Sequence, residues 1–466
     1  MIEQLQEQNI LTPLDLYFAD LHKPADESQR LFLATLMAAS RSGHLCLDLD
    51  NLDPLWDPEW RSQVKIGSSI SSPYICRYQN LFYLEKNFTY ETRLLQQIRE
   101  LSFVKPLDFQ LSDELTSEQK EALQVTLTHT LSIIEGGPGT GKTFLTAHLV
   151  KALGPKARVI LAAPTGKAAA RLKTFNPEAT CGTLHSILGI QSDRHLHRSG
   201  SFIEADLIIV DESSMIDARL FAFFLSSIQK GQRVVFLGDG NQLPPVESGS
   251  FFGDLVDLLP TAHLKTCLRT DRQEICELAK DILAGKTIEP DFPLSEQVII
   301  DKALEGWCIL SPLREGPYGV LELNRKILDQ RLKSVKQGEE ITVPILITRT
   351  DYEAQLYNGE MGVLHRTREK PLYAQFPTKK MEASALPPYE LGYVLSVHKS
   401  QGSEFDNCLI ATPPGSELFG KEVLYTAVTR AKKSVLIAGD KETIQKTIDH
   451  SSRRRSGIKD RYDIKS

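Results

Sequence analysis

The stretch from Leu131 to Thr143 carries the residues best suited to chemistry. A short apolar run ends at Glu135. Gly136, Gly137, Pro138, Gly139, Thr140 and Gly141 follow, then Lys142 and Thr143, and an apolar-periodic helix continues to Gly154-Pro155. This is the Gly-x-x-x-x-Gly-Lys-Ser/Thr phosphate loop between a strand and a helix, the context it requires. Glycine is needed because backbone N–H groups must turn inward and approach phosphates closely. The helix start adds partial positive charge at the same point. Lys142 is expected to reach the β- and γ-phosphates of ATP, and Thr143 to place its hydroxyl on Mg²⁺.

A second constellation follows. Leu207-Ile-Ile-Val210 is an apolar strand that delivers Asp211 and Glu212 at its carboxyl end, where parallel sheets bind ligands. Asp211 is expected to hold Mg²⁺, and Glu212 to orient and deprotonate the attacking water. Another buried run, Val235-Phe-Leu-Gly238, leads into Asp239-Gly-Asn-Gln242, which places Gln242 to sense the γ-phosphate. The transition state of ATP hydrolysis needs positive charge at that phosphate. Arg269 and Arg430 are the candidates to supply it, with Arg272 as an alternative to Arg269. Either could instead form a surface salt bridge. An arginine from a second domain would couple hydrolysis to closure of the cleft.

Elements must position these groups. Apolar runs at 131–135, 158–163, 206–210 and 233–238 alternate with helices, which implies a parallel sheet wrapped by helices. Runs at 298–300, 308–311, 344–348, 407–411 and 434–439 suggest a second such sheet. Between them, 341–392 has short strands and an Asn358-Gly359 turn, the pattern of a small inserted β-barrel. Residues 1–105 read as mostly helical. There Leu14, Tyr17, Phe18 and Leu21 recur at helical spacing, and Trp56 and Trp60 lie four apart, as a small core or as a partner-docking face. The tail from Ser451, with Arg453-Arg454-Arg455, reads as a solvated end, with a weak phosphate contact as the alternative.

Bulk properties narrow the class. A net charge of −6 excludes a uniformly basic nucleic-acid coat, so any nucleic-acid surface must be local. The seven cysteines are scattered and form no Cys-x-x-Cys, which fits a reducing cytoplasm and indicates neither a disulfide framework nor a zinc site. No apolar run approaches the ~20 residues that span a bilayer, so no membrane association is expected.

The ordered set of motifs resembles a superfamily 1 DNA helicase of the RecD type, the alpha subunit of exodeoxyribonuclease V. It comprises Gln119, Gly136–Thr143, Ala163-Pro164-Thr165-Gly-Lys167, Thr183-Leu-His185, Asp211-Glu212, Gly238-Asp239-x-x-Gln242, Arg269, Ser396-Val-His398-Lys-Ser400-Gln401-Gly-Ser-Glu404-Phe405 and Tyr425–Arg430. Ser311–Val320 with Leu323-Asn324, and Tyr357-Asn-Gly-Glu360, also resemble that family. The match covers roughly 115–440.

The resemblance implies an α/β chain with two RecA-like P-loop domains, at 106–262 and at 263–340 with 393–450. It implies an SH3-like β-barrel insertion at 341–392 that guides DNA, an N-terminal partner-docking domain at 1–105, and a tail at 451–466. Gln119 would contact adenine, and Glu404 would join the nucleotide site. Pro164, Thr165, Lys167, Thr183, His185, His398, Ser400 and Gln401 would line a track for single-stranded DNA, gripping phosphates without reading sequence. Travel would be 5′ to 3′. The partners would be DNA ends and the RecB-like and RecC-like subunits of a heterotrimer, with any nuclease site on a partner chain. The segment near 190–203, where the family carries a strand-separating hairpin, is brief. Two other readings stay open: a stand-alone accessory helicase, or a nucleotide-switched structural subunit with little motor activity.

Overall fold

The computed structural model describes residues 2–7, 10–48, 72–101, 115–154, 156–190, 202–267, 273–351 and 353–462. Trp56, Trp60, Arg269, Arg272 and most of the expected hairpin, 191–201, lie outside the described residues.

The first α/β unit is a six-stranded, wholly parallel sheet. Its spatial order is Thr180–Thr183, Val159–Ala163, Leu207–Val210, Arg233–Gly238, Leu131–Gly136 and Thr261–Leu264. Helices cover both faces, so its central strands are buried throughout: Leu207–Val210 and Arg233–Gly238 are buried at every position. The boundary expected after residue 262 cuts the last strand, and the sheet continues to Leu264.

The second unit is a four-stranded parallel sheet in the order Val394–Ser396, Cys308–Ser311, Phe405–Thr412 and Ala431–Gly439. The run at 298–300 is not one of its strands. It lies in the helix Glu296–Leu304, where Ile299 and Ile300 are buried. Three apolar residues cannot distinguish a strand from one face of a helix.

Residues 341–391 form a five-stranded antiparallel sheet, in the order Lys380–Glu382, Pro371–Gln375, Met361–Arg366, Ile341–Ile347 and Tyr389–Leu391. The first of these strands in sequence, Ile341–Ile347, pairs with both the second and the last, and a helical turn at Ala383–Ala385 precedes the last.

The N-terminal region is mixed, with helices and a sheet. Its helices pack with an antiparallel sheet of Cys46–Asp48, Leu81–Leu84 and Ile75–Tyr78. In the helix Pro13–Leu21 the buried residues are Asp15, Leu16 and Ala19. Leu14, Tyr17 and Leu21 are 55%, 67% and 64% exposed, so these three members of the apolar stripe face outward and make no core. Asp15 turns inward because Arg41 pairs with it at 2.9 Å and the Thr12 N–H donates to it at 2.8 Å.

The tail is not a solvated end. After leaving the second unit at Glu422, whose carboxylate accepts from Ser451 and Ser452, it crosses to the first unit and the N-terminal region. Ile458 is fully buried in the first unit's core. Arg455 pairs with Asp48 at 2.7 Å. Arg461 pairs with the buried Glu91 at 3.0 Å, and the Gly457 N–H donates to the same carboxylate at 2.8 Å. Burial pushes the Glu91 carboxyl up, opposed by Gly457 and Arg461. Arg461→Met strands that buried carboxylate and is expected to cost about 3–5 kcal/mol, with a smaller loss when Glu91→Leu is added. Urea denaturation of both variants checks this.

Among the described residues no helix is long and apolar enough to cross a membrane.

Candidate functional site

The phosphate loop turns at Gly139 and Gly141, both with φ near +80°, a conformation that L side chains rarely adopt. Gly141 caps the helix Lys142–Leu153. The Lys142 ammonium is folded back over the loop, donating to the carbonyls of Gly136 and of Gly137, the latter at 3.1 Å. It is therefore held where phosphate oxygens would compete for it.

A cleft of about 260 Å³ opens beside this loop. Gly137, Pro138, Gly139, Thr140, Gly141, Lys142 and Thr143 line one side, Asp211, Glu212 and Gln242 the next, and Gly402, Glu404 and Arg430 the wall from the second unit. Residues far apart in sequence thus meet as expected. Gly136 lies just behind the wall, where a Cβ would come within 2.9 Å of the Leu264 carbonyl oxygen.

Asp211 is buried, and its carboxyl is pushed up to about 6, first by burial and then by Glu212, with Lys142 opposing. Glu212 sits at φ 52°, ψ 39°, a left-handed conformation costly for a non-glycine residue, and its N–H donates to Asp211 at 2.9 Å. A divalent cation fits these groups. The Asp211 carboxylate is buried without a full counter-charge, and Thr143 brings a hydroxyl to the same cleft. Among the described residues no group of three or more His, Cys, Asp or Glu could hold a metal, so phosphate oxygens would complete such a site.

Arg430 is 4% exposed. Its guanidinium meets only neutral oxygens among the described residues: the Thr426 carbonyl at 3.0 Å, the Thr429 hydroxyl at 3.2 Å and the Ser403 carbonyl at 3.4 Å. It is a buried cation facing the cleft, and among the described residues no carboxylate pairs with it directly. Gln242 donates to Asp239 at 3.3 Å, and among the described residues its Oε1 has no partner.

The two units are stitched at this point. The Tyr425 hydroxyl donates to Asp239 at 2.8 Å and stands 3.1 Å from where a Cβ on Gly137 would lie. The Leu243 N–H donates to the Thr426 hydroxyl at 2.9 Å, and the Gln401 amide donates to the Leu243 carbonyl at 3.1 Å. Sequence reasoning gave Tyr425 no role, nor Arg171, Phe144 and Phe175, which also line the cleft. A cation or aromatic ring on a helix carries no signal of which pocket it will face.

Gln119 is not in the cleft. It is buried in a capping box, its Oε1 accepting from the Thr116 N–H at 3.1 Å.

The expected DNA residues divide. Pro164, Thr165, Thr183 and His185 gather along a channel of about 720 Å³, roofed by Thr350, Tyr357 and Asn358 from the connection between the strands Ile341–Ile347 and Met361–Arg366. Lys167 does not line it. Its ammonium donates to the Ser403 hydroxyl at 2.6 Å across the interface, and burial lowers its pKa. Ser400 is fully buried and donates to the Val397 carbonyl at 2.7 Å, which corrects its expected exposure on a track. Gln401 is buried and committed to Leu243. His398 is half-buried against Phe419 and the charge of Arg454.

Three family models match the chain: an AAA domain over residues 114–297, a UvrD-like helicase C-terminal domain over 391–438, and the N-terminal domain of RecBCD enzyme subunit RecD over 7–73. The RecBCD enzyme subunit RecD of Mycolicibacterium smegmatis is 30% identical, with 97% of each chain covered. The ATP-dependent RecD2 DNA helicase of Deinococcus radiodurans is 31% identical over 77% of this chain and 55% of its own length. Among solved structures, the Pif1 helicase from Candida albicans is similar at a TM-score of 0.48 and 20% identity, over 75% of this chain and 98% of that one.

Proposed function

The chain belongs to the RecD family, and from that premise we propose that it is the 5′-to-3′ motor subunit of a RecBCD-type helicase–nuclease acting on DNA ends. Membership makes it an ATP-dependent DNA helicase. The direction, the DNA-end role and the RecB-like and RecC-like partners are our reading. The observation that carries the motor is Arg430, which the second unit presents to the cleft holding Lys142, Asp211, Glu212 and Gln242.

In this reading Lys142 leaves the loop carbonyls for the β- and γ-phosphates. Glu212 takes a proton from the water that attacks the γ-phosphorus. The bond to the bridging oxygen breaks, and ADP and phosphate result. Thr143 and Asp211 would hold Mg²⁺, which neutralises charge on the phosphate oxygens when bound. Gln242 orients the water or senses the γ-phosphate. Glu404 faces the same cleft. Arg269 is proposed as a second cation at the phosphates. The apolar cavity of about 460 Å³ beyond Pro138, lined by Leu264, Ile275 and Tyr425, is proposed to take the adenine, and Gln119 would need to release its cap to reach it. Hydrolysis moves Arg430 and the stitches at Asp239 and Leu243 together, which shifts the two walls of the DNA channel.

Unwinding of 5′-tailed against 3′-tailed duplexes tests the reading, with and without the co-purified subunits. Preference for the 5′ tail and an ATPase strongly stimulated by single-stranded DNA are expected. Equal activity on both tails removes the direction, and an ATPase indifferent to DNA removes the motor.

The outward stripe Leu14, Tyr17 and Leu21 is proposed as the face that docks the partner subunits. Leu14→Glu with Tyr17→Glu should abolish assembly with co-expressed RecB-like and RecC-like chains, measured by size-exclusion chromatography. The thermal midpoint of the isolated chain should stay within about 2 °C, because exposed substitutions rarely exceed ±0.5 kcal/mol.

A further inference from the structure

At the carboxyl end of the second parallel sheet three charged side chains from three segments meet. Arg314 follows the strand Cys308–Ser311. Lys399 lies in the helical turn Val397–Ser400, which follows Val394–Ser396. Glu390, on the edge strand Tyr389–Leu391 of the inserted sheet, reaches between them. Arg314 donates to its Oε1 at 3.0 Å, and Lys399 to its Oε2 at 2.7 Å. One cation thus holds each oxygen of a singly charged, planar acceptor, as two cations hold two oxygens of a phosphodiester. Burial raises the Glu390 carboxyl, but the bonds from Lys399 and Arg314 outweigh it and leave it below its usual range. Arg314 is solvent-exposed and the other two are partly so, and such pairs are weak enough to be exchanged.

The location points to the same ligand as the channel on the first unit. Parallel sheets bind ligands beyond the carboxyl ends of their strands. On the first unit that end carries Pro164, Thr165, Thr183 and His185. On the second it carries Arg314 and Lys399. The inserted sheet touches both: Thr350 lies just beyond the strand Ile341–Ile347, and Leu346 of that strand pairs with Glu390. Ser400 and Gln401 are buried and bonded within the protein, whereas Arg314 and Lys399 reach the second unit's surface beside the half-buried His398.

We propose that Arg314 and Lys399 form a backbone-phosphate subsite for single-stranded DNA, and that Glu390 is its built-in occupant, a phosphate mimic that the strand displaces. This rests on the reading of the chain as a DNA motor. The exchange trades one negative charge for another, so it lowers affinity without blocking entry. It also frees the edge strand of the inserted sheet, so that DNA in the channel and the position of its roof are linked.

The test is binding of a fluorescein-labelled oligo-dT by the full chain, followed by anisotropy across a salt series, for Glu390→Gln, Arg314→Gln and Lys399→Gln. Thermal melting confirms that each variant is folded. Glu390→Gln is expected to tighten binding by about 3- to 10-fold at low salt. Arg314→Gln and Lys399→Gln should each weaken it and lower the slope of log K against log salt by about 0.7. Adding Glu390→Gln to the doubly neutralised chain should change nothing. Unchanged affinity and slope in both cation variants overturn the proposal. So does a Glu390→Gln chain that binds more weakly, which is what a purely structural ion pair would give. A wild-type chain that does not bind the oligonucleotide overturns the motor reading itself, and the subsite with it.

Discussion

Glu212→Gln should bind ATP with nearly unchanged affinity and hydrolyse it about 10³-fold more slowly, within the usual range for loss of a general base. The backbone at Glu212 is held in a left-handed conformation, anchored by the bond from its N–H to Asp211. That strain aims the carboxylate into the cleft beside Lys142 and Gln242. The amide has nearly the same shape and keeps the geometry, but it cannot take a proton. Single-turnover hydrolysis and titration with a fluorescent nucleotide separate the two quantities. A loss under tenfold would remove Glu212 from its role.

Arg430→Ala carries the second large effect. An arginine finger contributes about 10³–10⁵ in rate, so kcat should fall by at least about 10³-fold. Arg430→Lys should not restore it, because a single ammonium cannot span the positions of a planar fork. Stability should respond differently. The guanidinium is buried against neutral oxygens only, so its removal strands no opposite charge among the described residues. Arg430→Ala should therefore unfold at about the wild-type urea midpoint, in contrast to Arg461→Met. A variant that loses both activity and several kcal/mol would reassign Arg430 as a structural residue.

The contrast between these arginines marks what could be read from sequence. Motifs whose chemistry is local were legible. The phosphate loop, Asp211-Glu212 and Gln242 sit at the ends of strands that an apolar run announces, and the structure brings them into one cleft with Arg430. Strands at the margins were not legible. Thr180–Thr183 and Thr261–Leu264 are four residues each and carry little apolar pattern. The side of the helix Pro13–Leu21 that faces inward was set by Arg41, which pulls Asp15 into the interior, and no helical periodicity encodes a partner 26 residues away. The residues expected to line a DNA track divide for the same reason. Thr165 and His185 reach the channel from the ends of their own strands, while Ser400 and Gln401 were claimed by Val397 and by Leu243 in the other unit.

Arg461 and Glu91 are 370 positions apart, and Leu45 donates to the carbonyl of Arg455 across 410. A ribosome must therefore emit residues 455–461 before the stretch from Leu45 to Glu91 can lose its last contact with water. Such wide separations slow the final search, and until it ends Tyr83 lacks the cover of Gly457 and Ile458 lacks its place in the first unit's core. Nascent chains halted short of residue 456 should accordingly stay bound to chaperones.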